Sequence, residues 1–211
     1  MPGPITGGVI PSSTWANIPA ASTVSAGTQW RVTDINNSIW VSDTVRWSPL
    51  GGTVNHYTMP SVTSGLCTTE TILGQTLLLI NELQTLDTVR IFRSVGKSGT
   101  TNTFRESMYV GTAGTTLDDR VYGSAQVMAA TNKAQGGIFD FILTDATHLQ
   151  RKGSLALVGT YGAVSGASVV SPVSIPNASS NALYLTWTGL SDGSTDTLSL
   201  EDFKVQIVST A

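Results

Sequence analysis

Two histidines, one cysteine and a scatter of aspartates are the side chains with which this chain could carry out acid–base, nucleophilic or metal chemistry. His56 and His148 lie far apart, in neither an H-x-x-x-H nor an H-x-E spacing, so the nitrogen pair that grips zinc is missing. Cys67 stands alone and can form neither a C-x-x-C metal pair nor an internal disulfide. There is no G-x-S-x-G elbow and no phosphate-binding glycine loop. Carboxylates come in three near pairs: Asp118 with Asp119, Asp140 with Asp145, and Asp192 with Asp196. Two carboxylates serve glycoside hydrolysis, and oxygen-rich loops hold calcium. Yet Asp118-Asp119 follows Gly114-Thr115-Thr116, and Asp192-Gly193-Ser194-Thr195-Asp196 places glycine where a turn needs positive φ, so both read first as chain turns. Tyr57, Tyr109, Tyr122, Tyr161 and Tyr184 could stack on a sugar, but rings so dispersed ordinarily fill cores and interfaces. The expectation is a non-enzymatic protein with no catalytic residue, no cofactor and no metal site.

The elements that would position any such group are strands. Only 12% of the 211 residues are charged, against roughly 25% in an average domain, while Ser, Thr and Gly abound and strong helix formers are scarce. Mean hydropathy is +0.11, and no apolar run approaches the roughly 18 residues of a spanning helix, which excludes a helical membrane channel. A net charge of −3 and a pI near 5.2 leave no basic footprint for nucleic acid. Met1-Pro2-Gly3-Pro4 opens without a basic region, and no secretory apolar core follows, so the chain is expected to be made in a cytoplasm and to need no membrane partner.

The fold class that follows is all-β: a small N-terminal β-hairpin meander and then a jelly-roll-like β-sandwich. Residues 1–60 carry Trp15, Trp30, Trp40 and Trp47, with Arg31 and Arg46 among the few charges. Gln29–Thr33, Ser38–Ser42 and Val45–Ser48 are short strand-like runs separated by Asp34-Ile35-Asn36-Asn37 and Asp43-Thr44. So small a piece should not hide four indoles, each presenting on the order of 200 Å², so another chain or the second domain is expected to cover them. Residues 61–69 read as a linker. From 70 to 211, Thr71–Ile80, Asp87–Val95, Thr103–Val110, Arg120–Met128, Gly137–Thr144, Ser154–Tyr161, Ala182–Leu190 and Thr197–Val208 read as eight strands of a two-sheet sandwich. Residues 153–191 carry no charge; Tyr161, Val164, Val169 and Val170 in that stretch are candidates for a surface between subunits, the other reading being a buried strand pair.

The first region resembles a module of tailed-bacteriophage virion surface proteins. Trp15-Ala16-Asn17-Ile18-Pro19-Ala20-Ala21 matches a W-x-x-(L/I)-P-A-A lead, Gly27-Thr28-Gln29-Trp30-Arg31-Val32-Thr33-Asp34 a G-T-x-x-(R/F)-V-T-D run, and Trp40-Val41-Ser42-Asp43-Thr44-Val45-Arg46-Trp47 a W-x-S-D-G-x-x-W hairpin. Thr44 stands where glycine is usual, so a looser turn is expected. Segments of the second region, among them Asp87-Thr88-Val89-Arg90-Ile91 and Asp196-Thr197-Leu198-Ser199-Leu200-Glu201-Asp202-Phe203, are similar to domains of phage surface proteins. The resemblance implies a homotrimer made in the host cytoplasm and placed on the virion surface. Residues 1–60 would anchor and trimerise it through Trp15, Trp30, Trp40, Trp47, Arg31 and Arg46, with the sandwich as an outward knob. It further implies a capsid decoration (cement) protein on the major capsid protein. The alternatives are a short tail fibre or receptor-binding protein held by tail or baseplate proteins and recognising a host surface glycan, and a carbohydrate-binding module.

Overall fold

The computed structural model describes residues 9–57, 63–66, 68–99, 103–127, 133–155, 171–191, 193 and 196–209. The protein is all-β, its strands gathered in several sheets with two three-residue 3₁₀ turns as the only helical pieces among the described residues. The chain divides into two compact units, 1–55 (with 211) and 56–210, so the boundary falls a few residues before the expected one.

In the first unit, β1 (Ser12–Ser13), β2 (Gln29–Val32), β3 (Ser38–Ser42) and β4 (Trp47–Pro49) form one sheet in chain order. β1 runs parallel to β2, and the other pairs are antiparallel, with Trp30 opposite Trp40 and Ser42 opposite Trp47. The β2–β3 connection turns on Asn36 and Asn37, both at positive φ (51° and 52°). Two successive left-handed residues make the turn whose twist matches that of paired strands, and asparagine is one of the few side chains that accepts it. The three hairpin strands expected from alternation and turn residues are therefore present. The parallel β1 was not legible, because two serines carry no hydrophobic signal.

β5 (Thr53–Tyr57) is the strand within which the chain passes from one unit to the next. The second unit contains β6 (Thr63–Leu66), β7 (Thr71–Leu78), β8 (Thr88–Ser98), β9 (Thr103–Gly111), β10 (Asp119–Val127), β11 (Lys133–Asp145), β12 (His148–Leu155), β13 (Val173–Ser174), β14 (Leu183–Ser191) and β15 (Thr197–Val208). One sheet runs β10-β9-β14-β7; the other contains β13-β12-β11-β8-β15, with β6 also paired to β15. Consecutive strands mostly cross from one sheet to the other, and the pairings of β6 to β15 with one another whose registers are described are antiparallel. The core lies between the two sheets. Phe104, Met108 and Val110 of β9, Leu185 and Trp187 of β14, Val89, Ile91 and Val95 of β8, and Phe203, Val205 and Ile207 of β15 are all buried. The period-2 alternation of these runs is the physical signature of strands with one face dry. At Gly74 of β7 the sheets approach closely, since a Cβ there would lie 2.4 Å from the Leu200 side chain of β15.

Two expectations are corrected. Thr63–Leu66, inside the segment read as a linker, is a strand: Ser64 and Gly65 gave it a loop composition, and only pairing to the long β15 makes it β. The strand expected over Ser154–Tyr161 begins earlier, at His148, because Ala146-Thr147 turns the chain back onto β11. Its Gln150, Arg151 and Lys152 masked it as a loop, and residues 156–161 lie outside the described residues. β7 ends at Leu78, and Asn81 in the turn beyond it takes a φ of 61°.

Candidate functional site

Three constellations hold the side chains whose chemistry or exposure bears on function. The first is the tryptophan group of the N-terminal unit. Trp15 and Trp40 meet at 4.5 Å between ring centroids, and Trp30 meets Trp47 edge-on at 6.4 Å. Each of the three indole N–H groups here that has a described partner donates within the unit: Trp30 Nε1 to Ser13 Oγ (2.9 Å), Trp40 Nε1 to Ser38 Oγ (2.8 Å) and Trp47 Nε1 to the Pro19 carbonyl (2.8 Å). Trp15, Trp40 and Trp47 are 8%, 1% and 5% exposed in the single chain. The expected cover was another chain or the second domain; in the single chain three of the four rings are already buried, and Trp30 is half-buried. Within the unit the rings pair with one another, Trp15 from the 3₁₀ turn Trp15–Asn17 on Trp40 and Trp30 on Trp47, a pairing the meander alone did not suggest. Among the side chains the unit exposes are Arg31, Val45 and Leu50, with Trp30 and Arg46 half-buried.

The β3–β4 hairpin that carries two of these rings turns at Asp43. The Asp43 carboxylate accepts the N–H groups of Arg46 and Val45, each at 2.7 Å, and these bonds hold its pKa below the usual value. Thr44 sits at φ +76°. A β-branched residue in the left-handed region is strained, and glycine would relieve that strain. Thr44→Gly is expected to stabilise the protein by about 1 kcal/mol, read as a rise in the urea midpoint at unchanged slope; a loss of stability would show that the threonine is unstrained.

The second constellation is polar and lies inside the sandwich. Arg93 of β8 faces inward and donates from Nη2 to Glu106 Oε2 of β9, while Trp187 Nε1 of β14 donates to Glu106 Oε1 at 3.0 Å. The Arg93 guanidinium lies over the Phe139 ring at 5.0 Å, Phe139 and Trp187 pack at 5.0 Å, and Tyr122 stacks on Trp187 at 5.5 Å. Arg151 covers Tyr122 from outside at 4.7 Å. Burial pushes the Glu106 carboxyl up, against the opposing pull of Arg93 and the indole N–H. Nearby, Lys97 Nζ of β8 meets Asp196 Oδ2 at 2.9 Å, both buried. Neither pair was singled out from sequence, although the signal was there: Arg93 and Glu106 occupy the apolar phase of their alternating strands.

The third is exposed. His148 Nδ1 lies 2.9 Å from both Asp145 carboxylate oxygens, and its Nε2 lies 3.2 Å from Ser174 Oγ of β13. Carboxylate, imidazole and hydroxyl follow the connectivity of a hydrolase triad. However, Thr147 Oγ1 competes for Nδ1 at 3.0 Å, and the Ile175 N–H beside the serine is taken by the Thr147 carbonyl. With the serine open to solvent, the group works as a clasp of the β11–β12 turn against β13. Hydrogen bonding to His148, helped by the Thr147 N–H and hydroxyl, lowers the Asp145 pKa to about 2. A carboxyl-carbon NMR titration is expected to show this. His148→Ala should bring the value back toward the ordinary carboxylate range, and an unchanged titration would break the assignment. The sign follows: a depressed carboxylate stabilises the fold above its unfolded pKa, near 4, and that contribution disappears as pH falls toward 2.

Of the carboxylate pairs read from sequence, Asp140 and Asp145 take different partners in the fold. Asp118 accepts the N–H groups of Ala113, Gly114 and Thr115 and so closes a loop, as expected of a turn. Asp140 takes both Nε and Nη2 of Arg90, at 2.8 and 2.9 Å, away from Asp145 with its histidine. Asp196 belongs to Lys97, and Asp192 lies outside the described residues. His56 pairs with the buried Glu82, whose Oε2 also accepts the Leu79 N–H. Tyr161, Val164, Val169 and Val170 lie outside the described residues. Among the described residues, no three His, Cys, Asp or Glu side chains converge on a metal position, and no helix is long and apolar enough to cross a membrane. No protein-family model and no curated protein matches the chain.

Proposed function

We propose that this chain is a non-enzymatic structural protein of a tailed-bacteriophage particle, a homotrimeric decoration protein that binds the outer face of the capsid and stabilises it. The observation that carries the reading is the correspondence between motif and unit. The residues that resemble the virion module, from Trp15 to Trp47, build one compact sheet of their own, ahead of a separate sandwich. A short anchor leading directly into a knob suits a protein that sits on a shell, where a fibre would carry a long shaft. The outward Arg31, Val45 and Leu50 with half-buried Trp30 and Arg46 are the side chains through which the anchor would meet the major capsid protein and its sister copies.

The knob is a jelly roll in this reading. The orders β6-β15-β8-β11 and β7-β14-β9-β10 interleave chain-distant strands in both sheets, as two Greek keys do, with β12 and β13 added at one edge. Particles lacking the protein are expected to burst at lower temperature and under milder osmotic shock, yet to adsorb to cells normally. Unchanged physical resistance with lost adsorption would overturn the decoration role in favour of receptor binding. Copy number is the second readout: hundreds per particle fit decoration, and tens or fewer fit a tail component. The reading calls for no cofactor, nucleic acid or membrane.

A further inference from the structure

We propose that Lys97 and Asp196 condense with one another, joining β8 to the start of β15 by an isopeptide bond. The inference is independent of the virion reading and rests on the geometry of one sealed site. Lys97 Nζ lies 2.9 Å from Asp196 Oδ2, with the two side chains 3% and 0% exposed. Ser191 Oγ donates to the same oxygen at 2.8 Å and itself accepts the Gly193 N–H at 3.4 Å. Gly99 closes the remaining side: its φ is +119°, and a Cβ there would fall 1.8 Å from Asp196 Oδ1, so glycine alone lets the backbone seal against the carboxylate. The strands are held in register beside the pair, Leu198 opposite Lys97 and Thr197 opposite Ser98, with the Ser98 and Thr197 hydroxyls bonded to each other.

Contact at this distance sets the chemistry open to the pair. The amide needs the neutral forms of both groups, and one proton moved across the 2.9 Å contact from Nζ to the carboxyl gives a neutral amine against a carboxylic acid. Those are the forms that make an amide. Fixed strands hold them in contact, and oriented groups of this kind react as though at an effective concentration on the order of 10⁵–10⁸ M. The Nζ lone pair attacks Asp196 Cγ and the C–N bond forms. The surplus proton on nitrogen passes through the Ser191 hydroxyl to the departing oxygen, the C–O bond breaks, and one water leaves. No oxidant, reductant or external group is consumed. A chain whose only thiol is Cys67 gains by this route an internal cross-link that reducing conditions do not open.

The test is the intact mass of the full-length protein, denatured and reduced. It is expected to be lighter than the sequence mass by one water. Trypsin does not cut after an acylated lysine, so digestion should give a branched peptide joining residues 94–105 to residues 153–204. Lys97→Arg, which keeps the charge and the packing, should return the mass to that of its sequence. A wild-type mass equal to the sequence mass overturns the proposal. So does a missing water that maps elsewhere, such as a succinimide at Asp192-Gly193.

Discussion

Arg93→Met should lower the unfolding free energy by about 3–5 kcal/mol near neutral pH, because it strands the Glu106 carboxylate in the sandwich with its positive partner gone. Trp187 Nε1 remains as a donor to Glu106, but a single neutral N–H does not replace a guanidinium. The variant also loses the Arg93 packing over Phe139. The pH dependence has a definite sign. Burial already raises the Glu106 pKa in the folded protein, and removing Arg93 takes away the largest force opposing that rise. A carboxyl whose folded pKa lies above its unfolded one favours folding below the unfolded value, near 4.3, and loses that contribution as pH climbs through the folded value. The Arg93→Met deficit should therefore shrink as pH falls from 8 toward 4, measured by urea unfolding across that range. The double variant Arg93→Met with Glu106→Leu should recover most of the loss, since an apolar pair of similar volume avoids burying charge. A deficit independent of pH, or a double variant no better than the single one, would refute the electrostatic account.

Trp40→Ala should cost about 3–5 kcal/mol, the range for truncating a fully buried large ring. Trp40 is 1% exposed, packs on Trp15 at 4.5 Å and donates to Ser38 Oγ. The measurement is fluorescence-monitored urea unfolding of the isolated protein in dilute buffer. The result separates two physical pictures. If the indoles are core residues of the single chain, the loss appears at every protein concentration. If they were shielded chiefly by sister copies, the loss would appear only as a concentration-dependent shift. A change below about 1 kcal/mol would show that the ring is not part of a packed interior.

The strands were legible wherever one face is apolar and the other polar. β8, β9, β14 and β15 announce themselves through Val89, Ile91 and Val95, through Phe104, Met108 and Val110, and through Leu183, Leu185 and Trp187; β15 matches its expected bounds at Thr197 and Val208. β6 and β12 were obscured because Ser64 and Gly65 in one, and Gln150, Arg151 and Lys152 in the other, carry turn-like or solvent-facing chemistry. Their strand character comes from the neighbours they pair with. The acidic pairs illustrate the same limit. Asp140 and Asp145 are close in sequence, yet one serves Arg90 on the adjacent strand and the other a histidine across a turn.

Alternation and turn residues, which are properties of neighbours along the chain, determined that this protein is β, where most strands run and that the first region forms hairpins. Asn36-Asn37 and Asp43-Thr44 set two of those turns locally. The tertiary structure alone decided what the indoles touch and which charges are buried together. Arg93 with Glu106 on the next strand in the chain, and Lys97 with the sequence-distant Asp196, are partners only because sheet stacking and strand pairing bring them within a few ångströms. Removal from water then makes each of those partnerships matter, and burial is a property of the assembled sandwich rather than of any segment within it.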